Sequence, residues 1–114
     1  MTTEVANKRQ QFADQLRVAE ESLEGISPLT SVEPVLTVDE AYFIQLENIE
    51  RKVAQGQTIV GKKIGLTSKA MQTLLGVNEP DYGHLLDSMV VENGSAVPKK
   101  KLLQPKVEAE IAFI

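Results

Sequence analysis

Helical and strand-like patterning occupy different stretches of this chain, and that order constrains its fold more than anything else in it. Helical spacing of apolar residues is confined to the first half, and strand-like stretches follow Thr58. Helices first and strands afterwards predict an α+β architecture rather than an alternating α/β sheet. On this reading residues 1–57 form an N-terminal helical region and residues 58–114 a strand-rich one.

The first helix is expected from about Thr3 to Leu23, with Val5, Phe12, Leu16, Ala19 and Leu23 on one face and Lys8, Arg9, Asp14, Arg17 and Glu21 on the other. The apolar stripe is narrow, which predicts a helix that docks on something else rather than building a core. Gly25-Ile26-Ser27-Pro28 ends it, and the stretch to Pro34 is a connector. Thr37-Val38-Asp39-Glu40 then fits a capping box, a Thr N-cap with Glu three residues later. The helix it starts should run to about Gln55, with Val38, Ala41, Tyr42, Gln45, Leu46, Ile49 and Val53 tracing its face and Gly56 in the left-handed position after it.

Thr58–Leu66 reads as a strand in which Gly61 and Gly65 share a face with Lys63; glycine inside a strand often marks a close approach of backbone or ligand. Thr67 or Ser68 can cap a short helix with Ala70, Met71, Leu74 and Leu75 inward and Gly76 at its end. Met71 reads as core filler. Asn78 to Gly83 is dense in turn formers and is expected to be a loop. Met89 to Val97, centred on Asn93-Gly94, carries a hairpin signal. In the final strand, alternation puts Glu108 and Glu110 on one face and Val107, Ala109, Ile111 and Phe113 on the other.

The chemistry is bounded first by what is missing. The chain has no Cys, which removes disulfides, thiolate metal sites and thiol nucleophiles, and its one histidine, His84, cannot build a His-based metal cluster. A net charge of -4, aromatic content of 4% and no Trp argue against nucleic acid as a partner. Lys99-Lys100-Lys101 reads as a solvated turn rather than an anion site. No stretch approaches the roughly 18 apolar residues that span a membrane, the start of the chain has no signal-peptide core, and the expected location is the cytoplasm. Neither a phosphate-binding glycine loop nor a Gly-x-Ser-x-Gly elbow is present.

What remains is a set of oxygen donors and a lysine. Glu108 and Glu110 side by side repel each other: they are either two solvated glutamates on an exposed edge or ligands to a hard cation such as Mg²⁺. Lys63 between glycines is either an exposed edge residue or a functional cation. Asp81 after Pro80 has the position of a turn former, and His84 is either a general base or simply exposed. If these groups make a site, it suits a keto acid, whose carboxylate and 2-oxygen can chelate a metal while a lysine steadies the enolate.

Three segments in order carry a resemblance: Gly61-Lys62-Lys63-Ile64-Gly65-Leu66-Thr67-Ser68-Lys69-Ala70-Met71-Gln72, then Leu75-Gly76-Val77-Asn78-Glu79-Pro80-Asp81-Tyr82-Gly83-His84-Leu85-Leu86-Asp87, then Gln104-Pro105-Lys106-Val107-Glu108-Ala109-Glu110-Ile111-Ala112-Phe113. Together they resemble the 2-hydroxypenta-2,4-dienoate (2-keto-4-pentenoate) hydratases of the fumarylacetoacetate hydrolase superfamily, over about Thr37 to Ile114. The resemblance implies a mixed β-sandwich or roll, of which residues 58–114 would be the beginning of the catalytic domain. It implies a lyase of the meta-cleavage degradation of aromatic compounds, which adds water to a 2-hydroxy-2,4-dienoate to give a 4-hydroxy-2-oxo acid. Glu108 and Glu110 would then be two of three carboxylate ligands to Mg²⁺ or Mn²⁺. Lys63 would bind the substrate carboxylate or enolate oxygen, and Asp81 would serve proton transfer at the pocket. A homo-oligomer, and a partner enzyme of the same pathway, are further expectations. The third carboxylate of the family lies beyond Ile114, so the 114 residues are expected to be an N-terminal portion, inactive alone. The 4-oxalocrotonate decarboxylases share the lysine and the Glu-x-Glu strand and give the alternative activity. A chain that binds other subunits without catalysing anything is the alternative of another class.

Overall fold

A computed structural model describes residues 2–114. The fold is α+β: helices α1 (Thr3–Ser22), α2 (Val38–Ala54) and α3 (Lys69–Leu75), and strands β1 (Ile59–Gly65), β2 (Asp81–Leu86) and β3 (Ile111–Phe113). The chain divides into two compact units. One runs to Gln55 and takes in Val97–Pro105; the other is Gly56–Ala96 with Lys106–Ile114.

In the helical unit, α2 begins with the capping box its sequence predicts. Thr37 Oγ1 accepts from the Glu40 N–H at 3.2 Å, and Glu40 Oε2 accepts from the Thr37 N–H at 2.8 Å. Both bonds join residues three apart, so four consecutive residues suffice to specify them. The packing differs from the expectation. The core is Phe12 and Ala13 of α1 with Ile44 of α2, and Leu29 and Leu36 pack against it, so α1 does build a core. Ala13 is fully buried while Val5 and Leu16 stay exposed, and Ile44, off the expected face of α2, is 2% exposed. The small side chain of Ala13 lets the helices come together, and its carbonyl accepts from Asn48 Nδ2 of α2 at 2.9 Å.

The sheet unit holds three strands in the order β2-β1-β3, both pairings antiparallel. β2 starts at Asp81, inside the stretch whose turn formers predict a loop, because pairing of Gly65 with Asp81 and Ile64 with Tyr82 outweighs local turn preference. The expected hairpin does not form. A turn closes between the Ser95 N–H and the Glu92 carbonyl at 3.0 Å, but no strand flanks it. The final strand is shorter than expected, with pairing only at Ile111–Phe113. Ser68 is the residue that caps α3, accepting from the Met71 N–H at 3.2 Å, and Gly76 closes it at φ 72°. The helix presents an unexpected face: Met71, Leu74 and Leu75 are exposed, and the buried residue is Gln72. Gln72 Nε2 donates to the Leu66 carbonyl at 2.8 Å, which turns that side of the helix inward.

Candidate active site

Residues opposed across an antiparallel pair point to the same side of the sheet. Gly65 faces Asp81, Lys63 faces Gly83 on one side and Ala112 on the other, and Ile64 faces Ile111. That register puts Glu110, just ahead of β3, level with Gly65. Lys63, Asp81 and Glu110 therefore meet on one face, and the small neighbours Gly83 and Ala112 leave Lys63 room to reach both acids. Lys63 Nζ lies 3.2 Å from Asp81 Oδ1 and 3.6 Å from Glu110 Oε2. The Asp81 side chain is 53% exposed and that of Glu110 24%, so such pairs add only about 0–1 kcal/mol each to stability.

Burial is the largest influence on Lys63 and disfavours its charged form. The hydrogen bond and charge of Asp81, with the charge of Glu110, outweigh it, and the ammonium pKa is held above its ordinary value. Lys63 is thus a fixed cation at neutral pH. It lines a hollow of about 650 Å³ together with Asp81, Glu108 and Glu110, while Met71 and Leu75 of α3 supply an apolar wall. The exposed side of α3 is therefore partly the lining of this hollow.

Both glutamates singled out in the sequence thus border one space and offer hard oxygen donors to it. Among the described residues, no three His, Cys, Asp or Glu side chains are grouped closely enough to hold a metal by themselves. His84 is not brought to the hollow: it pairs with Lys62, on the other side of the sheet from Lys63, and its Nδ1 is buried with no hydrogen-bond partner. A second hollow of about 230 Å³ lies in the helical unit, bordered by Phe12, Leu36, Ile44 and the Lys8–Glu33 ion pair. Arg9 and Glu40 border it as well, so it too is lined by four charged side chains, two of each sign.

Two features escaped the sequence reading. Leu66 takes a left-handed conformation, φ 54°, where β1 turns toward α3, and Gln72 holds its carbonyl. Leucine carries no signal for that conformation, and glutamine at a buried position carries none for its partner. The close approach at Gly61 and Gly65 was signalled: a Cβ on Gly61 would lie 2.5 Å from the Phe113 carbonyl oxygen of β3.

The fold and site define a class: an α+β chain in which a three-stranded antiparallel sheet presents a lysine and carboxylates to a partly apolar hollow. Comparison with known proteins narrows it. The chain is 48% identical over 105 residues to a 2-hydroxypent-2,4-dienoate hydratase of Pseudomonas putida, covering 91% of the chain and 47% of that protein. It is 43% identical over 103 residues to a 2-oxo-hept-4-ene-1,7-dioate hydratase of Escherichia coli, covering 90% of the chain and 39% of that protein. Among solved structures it resembles the 4-oxalocrotonate decarboxylase from Pseudomonas putida G7, complexed with magnesium and adipate. That likeness has a TM-score of 0.69 and 38% identity, over 77% of the chain and 32% of that structure. No family model matches the chain. Over about nine-tenths of its length the chain is a homologue of the 2-hydroxypentadienoate (2-keto-4-pentenoate) hydratases. It spans less than half the length of these relatives.

Proposed function

We propose that this chain carries part of the active site of a divalent-cation-dependent hydratase, a hydro-lyase that converts a 2-hydroxy-2,4-dienoate to a 4-hydroxy-2-oxo acid in meta-cleavage degradation of aromatic compounds. The observation that carries the reading is the gathering of Lys63, Asp81, Glu108 and Glu110 around one hollow with an apolar wall, in a chain whose relatives are named hydratases. Such a hollow suits a small acid with a hydrocarbon body.

The donor set fits a hard cation. Mg²⁺ is commonly held by one or two protein carboxylates and completes its shell with water and ligand oxygens. Glu108 and Glu110 would hold Mg²⁺ or Mn²⁺ in this reading, and the solved decarboxylase is complexed with magnesium in one structure and calcium in another. When bound, the cation supplies Lewis acidity toward the carboxylate and 2-oxygen of the substrate. Lys63 binds the same end of the substrate and steadies negative charge on the 2-oxygen as the enol proton leaves. A proton is gained at the far carbon, which leaves a 2-oxo acid conjugated to one double bond. Water then adds, its oxygen to C4 and a proton to C3. Asp81, which accepts a hydrogen bond from Lys63, would hold or release a proton at the carbon chain. A homo-oligomer and a cytoplasmic location belong to the same reading.

Manganese titration followed by electron paramagnetic resonance tests it. The chain should bind Mn²⁺, and Glu108→Gln and Glu110→Gln should each abolish or severely weaken binding. No binding by the unaltered chain overturns the reading. The likeness to a solved decarboxylase favours a second activity, loss of CO₂ from 4-oxalocrotonate. Binding of a 2-hydroxydienoate, but not of 4-oxalocrotonate, to the Mn²⁺-loaded chain decides for the hydratase.

A further inference from the structure

Gly65 occupies a place in the sheet from which a side chain would enter the charged cluster. It is buried and lies opposite Asp81 on β2, with Glu110 level with it on the β3 side. A Cβ built there would lie 2.9 Å from Asp81 Oδ1 and 3.1 Å from Glu110 Cδ, and closer still to Glu110 Oε1. The backbone itself does not call for glycine: the glycines with positive φ are Gly56, Gly76 and Gly94. What requires glycine at position 65 is therefore space, and the space is filled by two carboxylates.

We propose that Gly65 is a positioning residue of the site: its missing side chain leaves the room through which Asp81 and Glu110 converge on Lys63. The inference rests on the functional reading above for its significance and on the geometry alone for its truth. Gly61 provides the contrast. A methyl group there would strike the Phe113 carbonyl, which is backbone, whereas at Gly65 the nearest atoms it would strike are the ends of flexible acidic side chains. Alanine at position 61 must move β3. Alanine at position 65 can be accommodated by swinging the carboxylates aside, which keeps the fold and opens the cluster.

Trace acetylation with acetic anhydride, read by tandem mass spectrometry, reports this directly. Lys62 is exposed on the opposite side of the sheet and serves as an internal reference. In the unaltered chain Lys63 should react more slowly than Lys62, because the ion pairs occupy its ammonium group. In Gly65→Ala, with an unchanged circular dichroism spectrum, that protection should be lost and the two lysines should react alike. Equal labelling in the unaltered chain, or an unchanged ratio in folded Gly65→Ala, overturns the proposal. If Gly65→Ala does not fold, the double variant Gly65→Ala/Glu110→Ala should fold, since the closest colliding atoms are gone; failure of that rescue also overturns it. Mn²⁺ affinity, expected to fall about 10- to 100-fold in Gly65→Ala as for other supports of a metal ligand, is a separate readout. Absence of Mn²⁺ binding by the unaltered chain would remove the hydratase reading, while the lysine labelling ratio still decides the role of Gly65.

Discussion

The helical unit and the sheet unit use their interiors differently. Of the six buried hydrophobic side chains among the described residues, five (Phe12, Ala13, Ala19, Ile44 and Ile49) are in the helical unit and one, Leu86, is in the sheet unit. The other buried positions of the sheet unit are Gly65, Gly83 and Gln72. Charges also differ in arrangement. In the helical unit they bind element to element, as Arg51 of α2 does with Asp14 of α1 at 2.8 Å and Lys52 with Glu20 at 2.9 Å. In the sheet unit Lys63, Asp81, Glu108 and Glu110, from three segments, line one hollow, and Lys63 pairs with two of the acids. The helices are held by apolar packing with charges at the rim. The sheet gives up apolar packing on one face to keep a charged, open space, and small residues there keep the strands from closing it.

The contrast can be broken by mutation. Phe12→Ala should have the largest effect, lowering stability by about 3–5 kcal/mol through lost burial and the cavity left beside Ile44; urea denaturation measures it. A smaller loss than from Leu86→Ala would reverse the assignment of the better-packed core. Gln72→Leu should cost less, about 1 kcal/mol. It frees the Leu66 carbonyl but also removes an amide oxygen, Oε1, that is buried without a partner, and the two effects partly cancel. Lys63→Met should change stability by no more than about 1 kcal/mol, because its acidic partners are partly exposed. A larger loss would make the cluster a structural clamp rather than a site.

The smallest effect is pH-dependent and belongs to the start of α2. Hydrogen bonds from the Thr37 backbone and side chain, aided by the charges of Arg9 and Lys8, hold the Glu40 carboxyl below its usual pKa. A depressed folded-state pKa contributes stability that is present above the unfolded value and lost as pH falls through the folded one. Protection of the Thr37 amide against exchange, measured relative to its unstructured rate at the same pH, should therefore fall below about pH 4, near the ordinary glutamate pKa. Glu40→Gln should remove that pH dependence. Exchange with the same pH profile in both proteins would show that the box is not held by the ionised carboxylate.

How much of this was legible in the chain depended on how far apart the interacting residues are. The capping box of α2, a cap of α3 at Thr67 or Ser68 and the Gly76 terminus of α3 were readable because each is a contact between near neighbours. The hairpin at Asn93-Gly94 misled for the same reason: the turn is local and forms, but its flanks need partners that local sequence does not guarantee. β2 was hidden because Asp81-Tyr82-Gly83 carries turn chemistry and becomes a strand only through its ladder with β1. The burial of Gln72 was hidden because its partner, the Leu66 carbonyl, is a backbone group available at any residue.

The sequence by itself determined the three helices, the capping box of α2, the α+β order, the exclusion of thiolate and histidine metal chemistry, and the short inventory of Lys63, Asp81, Glu108 and Glu110. Those follow from residue identity and from bonds that span three or four positions. Only the tertiary structure decided that Lys63, Asp81 and Glu110 meet, which side of α3 faces inward, and that an absent side chain at Gly65 makes the room. Each of these depends on strand register, and register is set by pairing between distant segments, where one residue of slip would send every side chain to the opposite face.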